Sequence, residues 1–307
     1  MPTRRETMAL TASVLAVGLG ASTRAFGQGA SGGRLKVIAT FSILGDLVRN
    51  VGGDRLDIAT LVGPNGNAHV YAPSPADAKK VADAAVVFVN GLGFVGWLER
   101  LVKASGTKAP IVVATTGIKP LERADAHGHD HGRADPHAWQ SVANSKIYVG
   151  NIRDALIAID PASKAGYEAN AAAYLAKLDA LDREVRETLA KVPPERRRVV
   201  TSHNAFGYFE SAYGIRFTAP QGVSTEAEAS AKDVAAIISA VRQQKAAAVF
   251  LENVTDPRLV RQIADETGAK VGGTLYSDAL TDASGDATTY IDLVRHNLRQ
   301  LANGLMS

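Results

Sequence analysis

From Arg34 onward the chain alternates short apolar runs with longer stretches in which apolar residues recur every three or four positions. Four runs come first: "RLKVIAT" (34–40), "RLDIATLV" (55–62), "AAVVFVN" (84–90) and "APIVVATT" (109–116). Their length and β-branched content predict buried strands, and segments with helical spacing, such as "SPADAKKVADA", separate them. Such alternation implies a parallel sheet covered by helices on both faces. A second series begins near residue 197, with "RRVVTS", "GIRFTA", "AAAVFLEN" and "AKVGGTLYS". Between the series, residues 161–192 are rich in Ala, Leu, Glu and Lys, with no Gly after Gly166 and no Pro between Pro161 and Pro193. This predicts one helix of about 30 residues, roughly 45 Å long. The expected fold class is α/β: two Rossmann-like lobes with mostly parallel sheets, joined by one long rigid helix. The expected boundaries are 28–160 for the N-terminal lobe, 161–193 for the linking helix and 194–307 for the C-terminal lobe. A helical connector is stiff where a Gly/Ser linker would bend.

The first residues do not fit this alternation. "MPTRRETMALTASVLAVGLGASTRAFGQ" has a charged start, an apolar run from Met8 to about Ala21, and small residues Ala25 and Gly27 before Gln28. It reads as a signal peptide over 1–27, cut before Gln28. The run is short of the about 20 residues a membrane span requires. Thr3-Arg4-Arg5 is an incomplete twin-arginine pattern, so twin-arginine and ordinary secretion both stay open.

Composition narrows the class. A hydrophobic content of 46% and a charged content of 21% are those of a soluble globular protein. The formal charge is +3, of which the leader supplies +2 (Arg4, Arg5 and Arg24 against Glu6), leaving +1. That balance gives no electrostatic case for nucleic acid. The chain has no cysteine, so a soluble periplasmic protein without a lipid anchor is expected, and a transition-metal site must use His and carboxylate ligands.

Four of the seven histidines lie in "AHGHDHGRADPHAW": His127, His129, His131 and His137. The first three alternate with small and acidic residues in a stretch with no helix or strand pattern. His137 stands apart behind Asp135 and Pro136. It shares a context with three other residues. His69 follows the second run in "GPNGNAHVYAPSP", His137 follows the fourth after a long loop, His203 follows "RRVVTS", and Asp278 closes the last run in "GGTLYSDAL". All four fall beyond the carboxyl end of a strand, where open α/β sheets bind ligands. Two come from each lobe, so they can converge in the cleft between lobes. Three imidazoles and a carboxylate suit Zn²⁺, and three nitrogen donors disfavour Mn²⁺ and Mg²⁺. Each residue also has a plain alternative: His69 as a cap for the helix near Ser74, His137 as a surface residue of a polar loop, His203 as a satisfied core histidine, and Asp278 as a helix N-cap ahead of "ALTDAS".

The motifs "VIATFSILGDLVRNVGGD", "GPNGNAHVYAPSPAD", "DPHAWQSV", "TSHNAFGYF", "STEAEASAKDV", "FLENVTDPRL" and "GGTLYSDAL" together resemble the zinc/manganese family of ABC-transporter solute-binding proteins. These are the ZnuA-type proteins of cluster A-I, with AztC-like zinc binders the nearest group. The resemblance covers nearly the whole mature chain. It implies metal binding at His69, His137, His203 and Asp278, and delivery of Zn²⁺ to an ABC importer permease in the inner membrane. Members of the manganese group carry Glu where this chain has His203. Two departures are Asn67 and Ala72, where acidic residues or Gln are commoner, and many zinc members have a longer His/Asp-rich loop. In the family that loop is thought to capture zinc or to receive it from a donor protein such as a periplasmic zinc chaperone. For His127, His129 and His131 this auxiliary role and that of an inert solvated loop both stay open.

The expectation is a monomeric periplasmic high-affinity zinc-binding protein, not an enzyme. Four protein ligands leave no open position for an activated water, and affinity should fall as pH drops through about 6.5. Alternatives are a manganese or other divalent-metal binder of the same family, and a zinc-dependent hydrolase using Glu210, Glu226 or Glu252 as base, although no HExxH occurs. A further one is a binder of a chelated or organic ligand, with Tyr71, Trp139 and Phe206 lining the pocket.

Overall fold

The computed structural model describes residues 33–122, 134–244 and 246–306. The leader expected over 1–27 and the loop histidines His127, His129 and His131 lie outside the described residues.

The first four apolar runs form β1 (Leu35–Phe41), β2 (Leu56–Val62), β3 (Val86–Val89) and β4 (Ile111–Val113), an all-parallel sheet of order β2-β1-β3-β4. The second series forms β5 (Arg198–Val200), β6 (Arg216–Thr218), β7 (Ala248–Glu252) and β8 (Val271–Leu275), again parallel, in order β6-β5-β7-β8. The two sheets therefore repeat one topology. In each, the strand order reverses beside the first strand of the lobe, which places a crevice at the carboxyl ends.

The sequence expectation that every strand is buried is corrected at the edges. β3 is buried throughout, but the side strand β4 leaves Ile111 and Val113 exposed by 37% and 40%. An apolar run marks a strand without telling which side of it lies open.

Helices α1 (Ser42–Gly52), α2 (Pro75–Ala82), α3 (Leu98–Ser105) and α4 (Val142–Ile159) belong to the first half of the chain. Next come α5 (Lys164–Leu189), α6 (Gly207–Tyr213), α7 (Ala231–Gln244), α8 (Arg258–Thr267) and α9 (Tyr290–Met306). The long helix α5 has 26 residues, about 39 Å. A separate 3-10 turn occupies Pro161–Ser163, so α5 is shorter than the expected segment. Its buried residues Tyr167, Ala171, Tyr174, Leu178, Leu181, Val185 and Leu189 recur every three or four positions, one helical face. That face packs on α1 and α4 from the first lobe and on α6 and α9 from the second.

One core cluster runs through both lobes, from Val37, Phe88 and Trp139 to Phe250, Leu275 and Leu305. A small second cluster around Val249, Ile237 and Ile263 lies under α7 and α8. Residues Arg34–Ser307 form one compact unit.

Candidate metal centre

Four loops at the carboxyl ends of strands deliver the four polar residues. The loop after β2 turns at Gly63–Gly66, where Gly66 N donates to Gly63 O (3.2 Å), and Asn65 N donates to Leu280 O of the other lobe (2.8 Å). Trp97 Nε1 holds Ala68 O at 2.8 Å, and Asn67 Oδ1 accepts from His69 N at 3.0 Å. His69 does not cap the following helix. Ser74 does so, in a capping box with Asp77.

His137 sits in a tighter setting. Asn90 Nδ2, beyond the end of β3, holds Pro136 O at 2.8 Å, and Tyr148 on α4 holds Asn90 Oδ1 at 2.5 Å. Asp135 Oδ1 accepts from His137 N (2.9 Å) and faces His137 Nδ1 at 2.8 Å. His203 follows β5 directly. Glu252, the last residue of the neighbouring strand β7, accepts from Ser202 N (2.7 Å) and His203 N (2.9 Å) through Oε1. Its Oε2 lies 2.5 Å from His203 Nδ1.

Asp278 follows β8. No helix begins there, so it is not an N-cap, and the next helix starts at Tyr290. The preceding carbonyl, Ser277 O, accepts from Trp139 Nε1 (2.9 Å) and Gln140 Nε2 (2.8 Å) of the first lobe. The Gly272-Gly273 pair in β8 shifts the register against β7. A side chain at Gly272 would meet the Phe250 ring at 2.5 Å.

These loops bring His69, His137, His203 and Asp278 together, with one candidate ligand atom from each within 4.8 Å of the others and all four residues buried. The imidazole Nε2 atoms of His69, His203 and His137 lie 3.3, 3.3 and 3.6 Å from Asp278 carboxylate oxygens. All three Nε2 atoms and both oxygens are buried with no hydrogen-bond partner. Buried polar atoms are nearly always satisfied, so five unsatisfied ones converging on a single point fit a cation.

Aromatic rings wall the cluster. Phe94 meets the His69 ring edge-on at 4.9 Å between centroids, and Trp139 meets His137 at 5.3 Å. Electrostatic effects in this dry setting are large. Burial alone pushes Asp278 up, but the facing His203 and His137 outweigh it and hold the carboxyl well below its ordinary value. Burial pushes His69 down, toward the neutral form. Burial also opposes charge on His203, yet Glu252 and Asp278 overcome it and raise His203 well above the usual range.

Asp135 and Glu252 are the functional residues that sequence reasoning missed in these roles. Each faces the Nδ1 of a histidine whose Nε2 points at the cluster, an arrangement that orients imidazole ligands. Asp135 was visible only as part of "DPHAWQSV". Glu252, weighed as a hydrolytic base, instead braces His203.

Residues 37–304 match the family described as ZnuA, zinc-uptake complex component A, periplasmic. The chain belongs to this family. Among ZnuA-family relatives, the iron-binding protein YfeA of Yersinia pestis is 36% identical over 271 residues, covering 88% of this chain and 86% of YfeA. The manganese-binding lipoprotein MntA of Halalkalibacterium halodurans is 34% identical, covering 95% of each chain. In three dimensions the periplasmic zinc-binding protein TroA of Treponema pallidum superposes with a TM-score of 0.83 at 29% identity, covering 89% of this chain and 99% of TroA. As a ZnuA-family member the chain is a metal-binding substrate-binding protein of an ABC transporter, not an enzyme.

The hydrolase alternative therefore falls. Glu210 on α6 accepts from Phe217 N at 3.1 Å, and Glu226 lies on an exposed loop. The residues proposed to line an organic-ligand pocket are otherwise engaged. Phe206 stacks on Phe217 at 4.7 Å, the Tyr71 hydroxyl donates to Asp77 at 2.8 Å, and Trp139 is fully buried.

Proposed function

We propose that this chain binds Zn²⁺ through the Nε2 atoms of His69, His137 and His203 and the carboxylate of Asp278, and hands the ion to an ABC importer permease. The observation that carries this reading is the convergence of unsatisfied buried nitrogen and oxygen atoms described above. A tetrahedral zinc site with bonds of 2.0–2.1 Å has edges of about 3.3–3.4 Å. The nitrogen–oxygen separations of 3.3, 3.3 and 3.6 Å are close to that value. Three imidazoles, the third from His203, favour zinc over manganese and support placing the chain beside the AztC-like zinc binders.

One observation favours a second reading. Both carboxylate oxygens face the cluster, Oδ2 toward His69 and His203 and Oδ1 toward His137. A bidentate Asp278 would give three nitrogens and two oxygens, a set that Mn²⁺ or Fe²⁺ accepts more readily than a strict tetrahedron. Relatives named for manganese and iron are consistent with it.

The chain is proposed to act as an exported monomer, loaded directly or by a zinc chaperone. Among the described residues no helix is long and apolar enough to cross a membrane. MntA is named a lipoprotein. Thioether-linked lipid needs a cysteine, and this sequence contains none, which supports export without an anchor.

Competitive titration with Zn²⁺ and Mn²⁺ tests the assignment. Wild-type protein is expected to prefer zinc by orders of magnitude. His203→Ala and His69→Ala should each weaken zinc binding by orders of magnitude, and His203→Glu should narrow the gap by exchanging nitrogen for oxygen. Equal or tighter manganese binding by the wild type would support the five-donor reading instead.

A further inference from the structure

We propose that Asn67 is a latch between the lobes, and that its contact with Thr225 sets how fast the metal leaves through the groove it walls. Asn67 stands two residues before His69, and its amide is fully used. Nδ2 donates to Thr225 Oγ1 (2.9 Å) and Val254 O (3.0 Å), both in the second lobe. Oδ1 accepts from His69 N (3.0 Å) and lies 3.2 Å from Thr225 Oγ1. One side chain thus ties the opposite lobe to the backbone of a candidate metal ligand.

The latch closes one wall of a groove of about 460 Å³. Asn67, Val70, Ser202, Thr225, Val254 and Thr255 are among its lining residues. Two of its lining residues, Ser202 and Val70, are the chain neighbours of His203 and His69. Val70 is 55% exposed, so the same groove opens to solvent within one residue of His69. The Ser202 Oγ and Thr255 Oγ1 atoms are buried without a hydrogen-bond partner. Such oxygens suit a cation exchanging water on its way in or out.

Several other ties between the lobes are buried. Trp139 and Gln140 clamp Ser277 O, and Leu280 N donates to Ser42 Oγ (3.0 Å), all from buried positions within the shared core. The Asn67 contacts are only partly buried and join neutral groups. They can break without opening the core, and a neutral hydrogen bond of this kind adds only modestly to stability.

The experiment measures release of Zn²⁺, and separately of Mn²⁺, into excess EDTA from the full-length protein, alongside association rates. Thr225→Val removes the hydroxyl without touching His69. It is expected to speed release about tenfold with association changed less than twofold. Asn67→Ala should speed release at least as much, and the double variant no more than Asn67→Ala alone. Release from Thr225→Val at the wild-type rate, or additive effects in the double variant, would overturn the proposal. Circular dichroism of each metal-free variant checks folding, and Thr225→Val alone decides if Asn67→Ala does not fold. The latch presupposes the metal site proposed above. If only manganese binds, the zinc reading fails while the latch is still judged on manganese release.

Discussion

At the scale of residues, the electrostatics of His203 set the pH behaviour. Its pKa in the metal-free fold is raised by Glu252 and Asp278, which favours a proton that a metal bound at the proposed site would have to displace. His69 is lowered and already neutral there. Protons therefore compete with metal, and affinity falls as pH drops. Calorimetry at pH 7 in buffers of different ionisation enthalpy should find net proton release as zinc binds. Glu252→Gln removes the charge that holds the proton and the acceptor that orients the ring. Fewer protons should then be released, with affinity down about 10- to 100-fold. Unchanged release would mean Glu252 has no hold on His203. The four clustered residues were legible because each follows the carboxyl end of an apolar run. The bracing role of Glu252 was not, since β5 and β7 are neighbours in the sheet but 48 positions apart in the chain, from Val200 to Ala248, and nothing local reports the strand order.

At the scale of elements, the start of α9 shows a coupling that no single segment encodes. Asp46 on α1 accepts from Tyr290 N at 2.9 Å, in effect capping α9 from the other lobe. Burial pushes its carboxyl up to about 6 from 3.8, against the pull of the Tyr290 bond and Arg49. A carboxyl raised in the fold binds its proton more tightly than in the unfolded chain. It therefore costs stability above the folded value, and the cost fades as pH falls toward the unfolded one. Asp46→Asn keeps an oxygen for Tyr290 and removes the charge. Urea unfolding of the metal-free protein should show it stabilised at pH 7.5 by up to about 3 kcal/mol, with the gain shrinking toward pH 4.5. A loss of stability of the same size at both pH values would contradict this. The helix α5 was legible from its composition. The absence of a helix after Asp278 was not, because "ALTDAS" has acceptable propensity and tertiary ties at Ser277, Ala279 and Leu280 help to hold it as a loop.

At the scale of the molecule, one core passes through both lobes, and α5 packs on helices of each. Opening the lobes widely would expose that core, so release must proceed by local motion. Small-angle scattering of metal-free and loaded protein should give nearly superposable curves, whereas a large change in radius of gyration would point to hinge closure. The two-lobed pattern could be read from two series of strands. The continuity of the core could not, since it depends on how α5, α9 and the Asp278 loop dock. Deleting residues 124–133, which carry His127, His129 and His131, should leave equilibrium zinc affinity nearly intact while slowing capture at low zinc. Abolished binding would move the site to that loop.

The most direct measurement is a crystal structure of the zinc-loaded protein with anomalous differences recorded on both sides of the zinc edge. The account predicts one strong peak bonded to the Nε2 atoms of His69, His137 and His203 and to Asp278, with bonds of about 2.0–2.2 Å. A peak elsewhere, or one from which any of these four is displaced by another residue, would contradict it.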